Sequence, residues 1–109
     1  TGAMRDAIQK AACCYRACYG VQTIDPHQFA VFTRENGCGV PTRQYLMDLH
    51  RLLARMQDIG LTPVEYVAMR NRLLTRLAPM GSTIGVTDLA HIIEAVYVDE
   101  VETPTHVAM

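Results

Sequence analysis

The chain predicts an all-α fold: a compact single domain of about five helices arranged as helix–loop–helix units. Three observations predict it. Half of the 109 residues are hydrophobic and 19% are charged, which suits a real core and argues against disorder. Apolar residues recur at spacings of three and four, and no window sustains the alternation of a strand. The third observation is one phrase, which recurs as TIDPHQF at 23–29, GLTPVEY at 60–66 and TIGVTDL at 83–89.

The phrase reads as the start of a helix. Ile24, Leu61 and Ile84 each precede a residue suited to capping, Asp25, Thr62 and Gly85. Pro26 and Pro63 then take the first helical position, where the missing N–H costs nothing. Gln28, Glu65 and Asp88 fall three residues after the cap, where they reach back to a free N–H or favour the positive helix end. Thr62 with Glu65 is the strongest capping box, and Gly85 is the weakest cap because it has no side chain.

The elements follow in order. The first helix runs from about Met4 to Tyr19, with Ile8, Ala11, Tyr15 and Cys18 on one stripe, and Gly20 ends it. The second begins after Asp25 and stops at Asn36-Gly37. The third carries Tyr45, Leu49, Leu52, Met56 and Ile59 as a core stripe, widened by Leu46 and Leu53, and stops at Gly60. The fourth begins at Pro63, buries Tyr66, Met69, Leu73, Leu74 and Leu77, and ends near Pro79. The fifth runs from Val86 to about Val98. Residues 1–4, TGAM, read as an expression remnant. Residues 5–98 form the domain, and 99–109 an acidic tail or linker. The remnant implies a domain excised from a larger protein.

The repeated phrase also has the outline of an EF-hand, with an apolar residue ahead of an acid or amide at the twelfth loop position. Placing Gln28, Glu65 and Asp88 there tests it. Positions one, three and five then read Ala17, Tyr19, Val21; Ala54, Met56, Asp58; and Leu77, Pro79, Gly81. Only Asp58 offers a suitable oxygen, so the likeness is one of shape, without calcium ligands.

Charge is uneven. Residues 42–85 carry six arginines against three acids, while 86–109 carry five acids and no Lys or Arg. Arg43, Arg51, Arg55, Arg70, Arg72 and Arg76 therefore form a candidate basic face on the third and fourth helices. Nucleic acid is disfavoured as its partner: the chain's net charge is −1 and no stacking aromatics interleave the arginines. A solvated face is the simpler reading.

The four cysteines allow three states. Cys14 and Cys18, one turn apart, could join His27 and Cys38 around zinc. Cys18 and Cys38 could form a disulfide. Reduced, packed thiols are the favoured state, because no zinc-knuckle spacing is present and free Cys is commonly buried. The absence of a secretory signal pattern points to an intracellular, reducing compartment, cytoplasm or nucleus. No apolar run approaches a membrane span. No phosphate-cradling glycine pattern or oriented Cys–His pair marks an enzyme, and no cofactor is expected.

The sequence favours a non-catalytic protein–protein interaction or assembly module that associates with itself. The alternative is a nucleic-acid-binding or zinc-stapled regulatory domain. Self-association is expected because the first and fifth helices are apolar on more than one face, which five short helices do not easily enclose. Tyr15, Cys18, Leu89, Ile92, Ile93 and Val96 are the candidate interface of a homodimer.

Overall fold

The computed structural model describes residues 2–36, 39–78 and 84–102. Among them the chain forms five helices and no strand: α1 (Gly2–Tyr19), α2 (Pro26–Glu35), α3 (Val40–Asp58), α4 (Pro63–Leu77) and α5 (Val86–Glu102). The all-α class and the number of helices match the expectation from sequence.

The repeated phrase becomes three equivalent helix starts. The N–H groups of Phe29, Tyr66 and Leu89 donate to the carbonyls of Asp25, Thr62 and Gly85 at 2.8–2.9 Å. Asp25 also accepts from the Gln28 N–H at 2.8 Å. Thr62 and Glu65 close a full capping box, with the Thr62 N–H donating to Glu65 and the Glu65 N–H to the Thr62 hydroxyl. Gly20 and Gly60 stop α1 and α3 with φ of 65° and 84°, a region that glycine enters without strain.

The shape is flat, 22 Å through its thinnest direction, or about two helix diameters. Helix α5 packs on α2, α3 and α4, and α1 packs on the same three helices from elsewhere. Tyr15, Phe29, Leu46, Leu74, Leu89, Ile92, Ile93 and Val96 are among the largest fully buried side chains of the core. Around Tyr15, the rings of Tyr19, Phe29 and Phe32 lie with centroids 4.8–5.6 Å away, two of them edge-on. Thr42 ties α3 to α1 by donating to the Ala7 carbonyl at 2.6 Å.

Several expectations need correction. Helix α5 buries Leu89, Ile92, Ile93, Ala95 and Val96 against α2, α3 and α4, while Val98 and Val101 stay 39% and 61% exposed. Helix α1 begins at Gly2, ahead of the expected start, and Met4 packs against the core. Helix α5 continues past the expected end at Val98, through Asp99 and Glu100 to Glu102. Leu52 and Met69 are 38% and 40% exposed rather than buried. The apolar stripe of α3 is rotated, with Leu46, Leu49 and Leu53 inward and Leu52 at its edge.

Candidate functional site

Two features of α3, α4 and α5 stand out. The first is a cleft of about 410 Å³ between the three helices. Leu53 from α3 and Ile93 from α5 form its apolar base, and both are buried. His50 and Tyr97 form one wall, their rings stacked at 3.7 Å and 6° apart. Tyr66 and Arg70 come from α4, one turn apart and therefore on the same side of that helix. Glu94 and Val98 stand exposed at the rim. The half-buried Arg70 guanidinium bonds the side-chain oxygen of its neighbour Asn71 at 3.1 and 3.3 Å and forms no ion pair among the described residues.

The second feature is the outer side of α4. This helix buries only Leu74 and Leu77, and its first half stands away from the core. Val64 is 80% and Val67 41% exposed. With Ala68 they make an apolar strip at i, i+3 and i+4. Glu65, Arg72 and Arg76 flank the strip on one side and are all exposed. Ile59, 66% exposed, lies just across the α3–α4 turn.

The residues singled out from sequence are scattered by the fold. Of the candidate interface, Tyr15, Leu89, Ile92, Ile93 and Val96 are at most 1% exposed and pack in the domain's own core. Cys18 alone of that set is exposed. Of the basic residues, Arg43 is buried: it pairs with Asp99 at 2.6 Å and Glu100 at 2.8 Å and donates to the Ala30 carbonyl and the Thr33 hydroxyl. Arg51 is exposed and pairs with Asp48, Arg70 faces the cleft, and Arg55, Arg72 and Arg76 are exposed. Of the zinc set, Cys14 is half-buried, Cys18 and His27 are exposed, and Cys38 lies outside the described residues. Among the described residues no group of three or more His, Cys, Asp or Glu side chains is placed to hold a metal ion.

Tyr15 and Glu65 are two described groups whose titration is clearly shifted. Burial pushes the Tyr15 phenol above its usual value of 10.0, opposed by the hydrogen bond from the Asp25 N–H and aided by the Asp25 charge. The Thr62 backbone N–H, then its hydroxyl, holds the Glu65 carboxyl below its usual 4.5. Both act on folding rather than on reaction chemistry: Tyr15 donates to the Gln28 side chain, and Glu65 caps α4.

Sequence reading did not find the cleft, because His50, Arg70 and Tyr97 come from three helices with no shared motif. A signal for the α4 strip was present in the spacing of Val64, Val67 and Ala68, opposite the stripe assigned to the core. No helix among the described residues is long and apolar enough to cross a membrane. Comparison of the chain with protein-family models, curated proteins and solved structures finds no match to any of them.

Proposed function

We propose that the chain is a non-catalytic assembly module that pairs with a second copy of itself through the outer side of α4. The observation that carries this reading is the exposed Val64–Val67–Ala68 strip on a helix that buries only two residues. Charge favours a second copy as the occupant. Glu65 and Arg72 lie on the same flank of the strip. Antiparallel pairing about a two-fold axis between Ala68 and Met69 sets Glu65 of each copy level with Arg72 of the other. Ala68 at the crossing allows close approach of the two helices. The site thus moves from the residues expected by sequence to α4, while the expectation of self-association is kept.

Sedimentation equilibrium tests it. The expected result is a mass that rises above 12.1 kDa with concentration. Val67→Glu should hold the protein at monomer mass with an unchanged thermal melt, since that side chain is outside the core. A wild-type mass fixed at the monomer value into the high micromolar range overturns the reading.

A further inference from the structure

The cleft between α3, α4 and α5 joins features that pure surface packing does not require. Its volume of about 410 Å³ falls within the range of small-molecule sites, roughly 300–1,000 Å³. Its base is apolar, through Leu53 and Ile93, and one wall is the flat His50–Tyr97 stack. Two opposite charges stand in it. Arg70 is half-buried and, among the described residues, bonded only to the neutral Asn71 amide oxygen, whereas Glu94 is exposed at the rim. The pair is too far apart for an ion pair, since every such contact within 4 Å among the described residues involves other side chains.

We infer that this cleft binds a small zwitterion with an aromatic side chain, of the size and kind of an aromatic amino acid. Its carboxylate meets the Arg70 guanidinium, whose planar fork suits two parallel hydrogen bonds to carboxylate oxygens. Its ammonium faces Glu94 at the rim. Its ring lies over Leu53 and Ile93 beside Tyr97, where aromatic surface leaves water and meets ring edges and faces. The depth of the groups sets the order: the half-buried cation receives the anion inside, and the exposed carboxylate receives the cation at the mouth. A simple aromatic acid leaves Glu94 without a counter-charge, and an aromatic amine leaves Arg70 without one. The inference does not rest on pairing through α4, because Tyr66 and Arg70 project from the opposite side of that helix from Val64 and Ala68.

Titration of the intact protein, observed by amide and side-chain NMR, tests it with three probes: L-phenylalanine, N-acetyl-L-phenylalanine and phenethylamine. L-Phenylalanine should shift the resonances of His50, Tyr97 and Arg70 in a saturable way at about millimolar concentration, the affinity open to about a dozen non-hydrogen atoms. Each analogue, lacking one charge, should bind about tenfold more weakly, the loss of one charge-assisted contact. Arg70→Gln should weaken L-phenylalanine to about the level of phenethylamine and leave phenethylamine itself unchanged. Glu94→Gln should weaken L-phenylalanine to the level of its N-acetyl form and leave the N-acetyl form unchanged. Glu94 is exposed, so that variant reports on binding even if Arg70→Gln lowers stability. No saturable shift at the cleft overturns the inference. So does equal binding of all three probes, which would mark an apolar hollow indifferent to charge.

Discussion

Arg43 and Asp99 meet at 2.6 Å across 56 residues of chain, with side chains only 7% and 14% exposed. Arg34 joins the same carboxylate at 3.0 Å, and Glu100 takes the Arg43 Nε–H at 2.8 Å. These contacts fasten the end of α5 to α2 and α3. A buried charge of this kind is costly to leave alone, even where the pair itself adds little.

Removing one side of this cluster should therefore be severe. Arg43→Ala is expected to lower unfolding free energy by about 3 kcal/mol, the typical loss when a buried ion pair is broken. Truncation after Val98 should produce a comparable fall, because Arg43 then stays buried without its two carboxylates. Arg51→Ala, which breaks an Arg51–Asp48 pair more than half exposed on both sides, should change stability by less than about 0.5 kcal/mol. Urea midpoints of the three variants check the order, and equal midpoints would refute it.

Gly39→Ala should destabilise for a steric reason. A Cβ at this position would lie 2.7 Å from both Cα and Cβ of Thr33, a backbone neighbour that cannot swing away. Overpacking of this type costs about 1–3 kcal/mol. Restoring room with Thr33→Gly should recover part of the loss, measured as coupling in a double-mutant cycle.

Leu46 and Leu52 separate the observed orientation of α3 from the one expected by sequence. Leu46 is fully buried and Leu52 is 38% exposed. Leu46→Ala should cost about 2–5 kcal/mol by opening a cavity, and Leu52→Ala well under half of that. Thermal melts giving the reverse order would require α3 to be turned about its axis.

Acid and alkali should weaken the fold through different residues. The Glu65 carboxyl titrates lower in the folded chain than its usual 4.5. Its contribution is therefore full above that pH and is lost as pH falls through the lower folded value. Glu65→Gln should flatten this part of the acid limb. The Tyr15 phenol titrates above 10.0 when folded, so its contribution is full below pH 10.0 and is lost as pH rises through the higher folded value. Tyr15→Phe should flatten the alkaline limb while costing about 1 kcal/mol at neutral pH for the lost bond to Gln28. Stability profiles in which neither variant differs in slope from the wild type would count against both assignments.

The fold was legible wherever the information was local. Asp25, Thr62 and Gly85 mark helix starts through bonds to residues three or four positions away, and Gly20 and Gly60 mark stops through their own backbone angles. The sites were not legible, because they depend on partners that sequence does not bring together. Arg43 reads as one member of a basic face until Asp99 and Glu100 cover it. Ile92 and Ile93 read as an apolar surface until α2, α3 and α4 pack over that side of α5. The rotation of α3 is intermediate: its apolar residues span a broad arc, and only packing chooses Leu46 over Leu52 for the interior.

The packing of α5 onto α2, α3 and α4 also bears on how the domain can be made. Leu89, Ile92, Ile93, Ala95 and Val96 fill the space between helices that precede them in the chain. During translation α1 to α4 emerge before the residues that complete their interior, with Phe29, Leu46 and Leu74 lacking their final neighbours. Assembly from the N-terminus onward therefore stalls short of a packed state, and apolar surface stays open to chaperones until α5 has cleared the ribosome. A fragment ending at Gly85 should show a helical circular-dichroism signal and bind an apolar dye, but melt without a sigmoidal transition. A cooperative melt of that fragment would mean that four helices suffice.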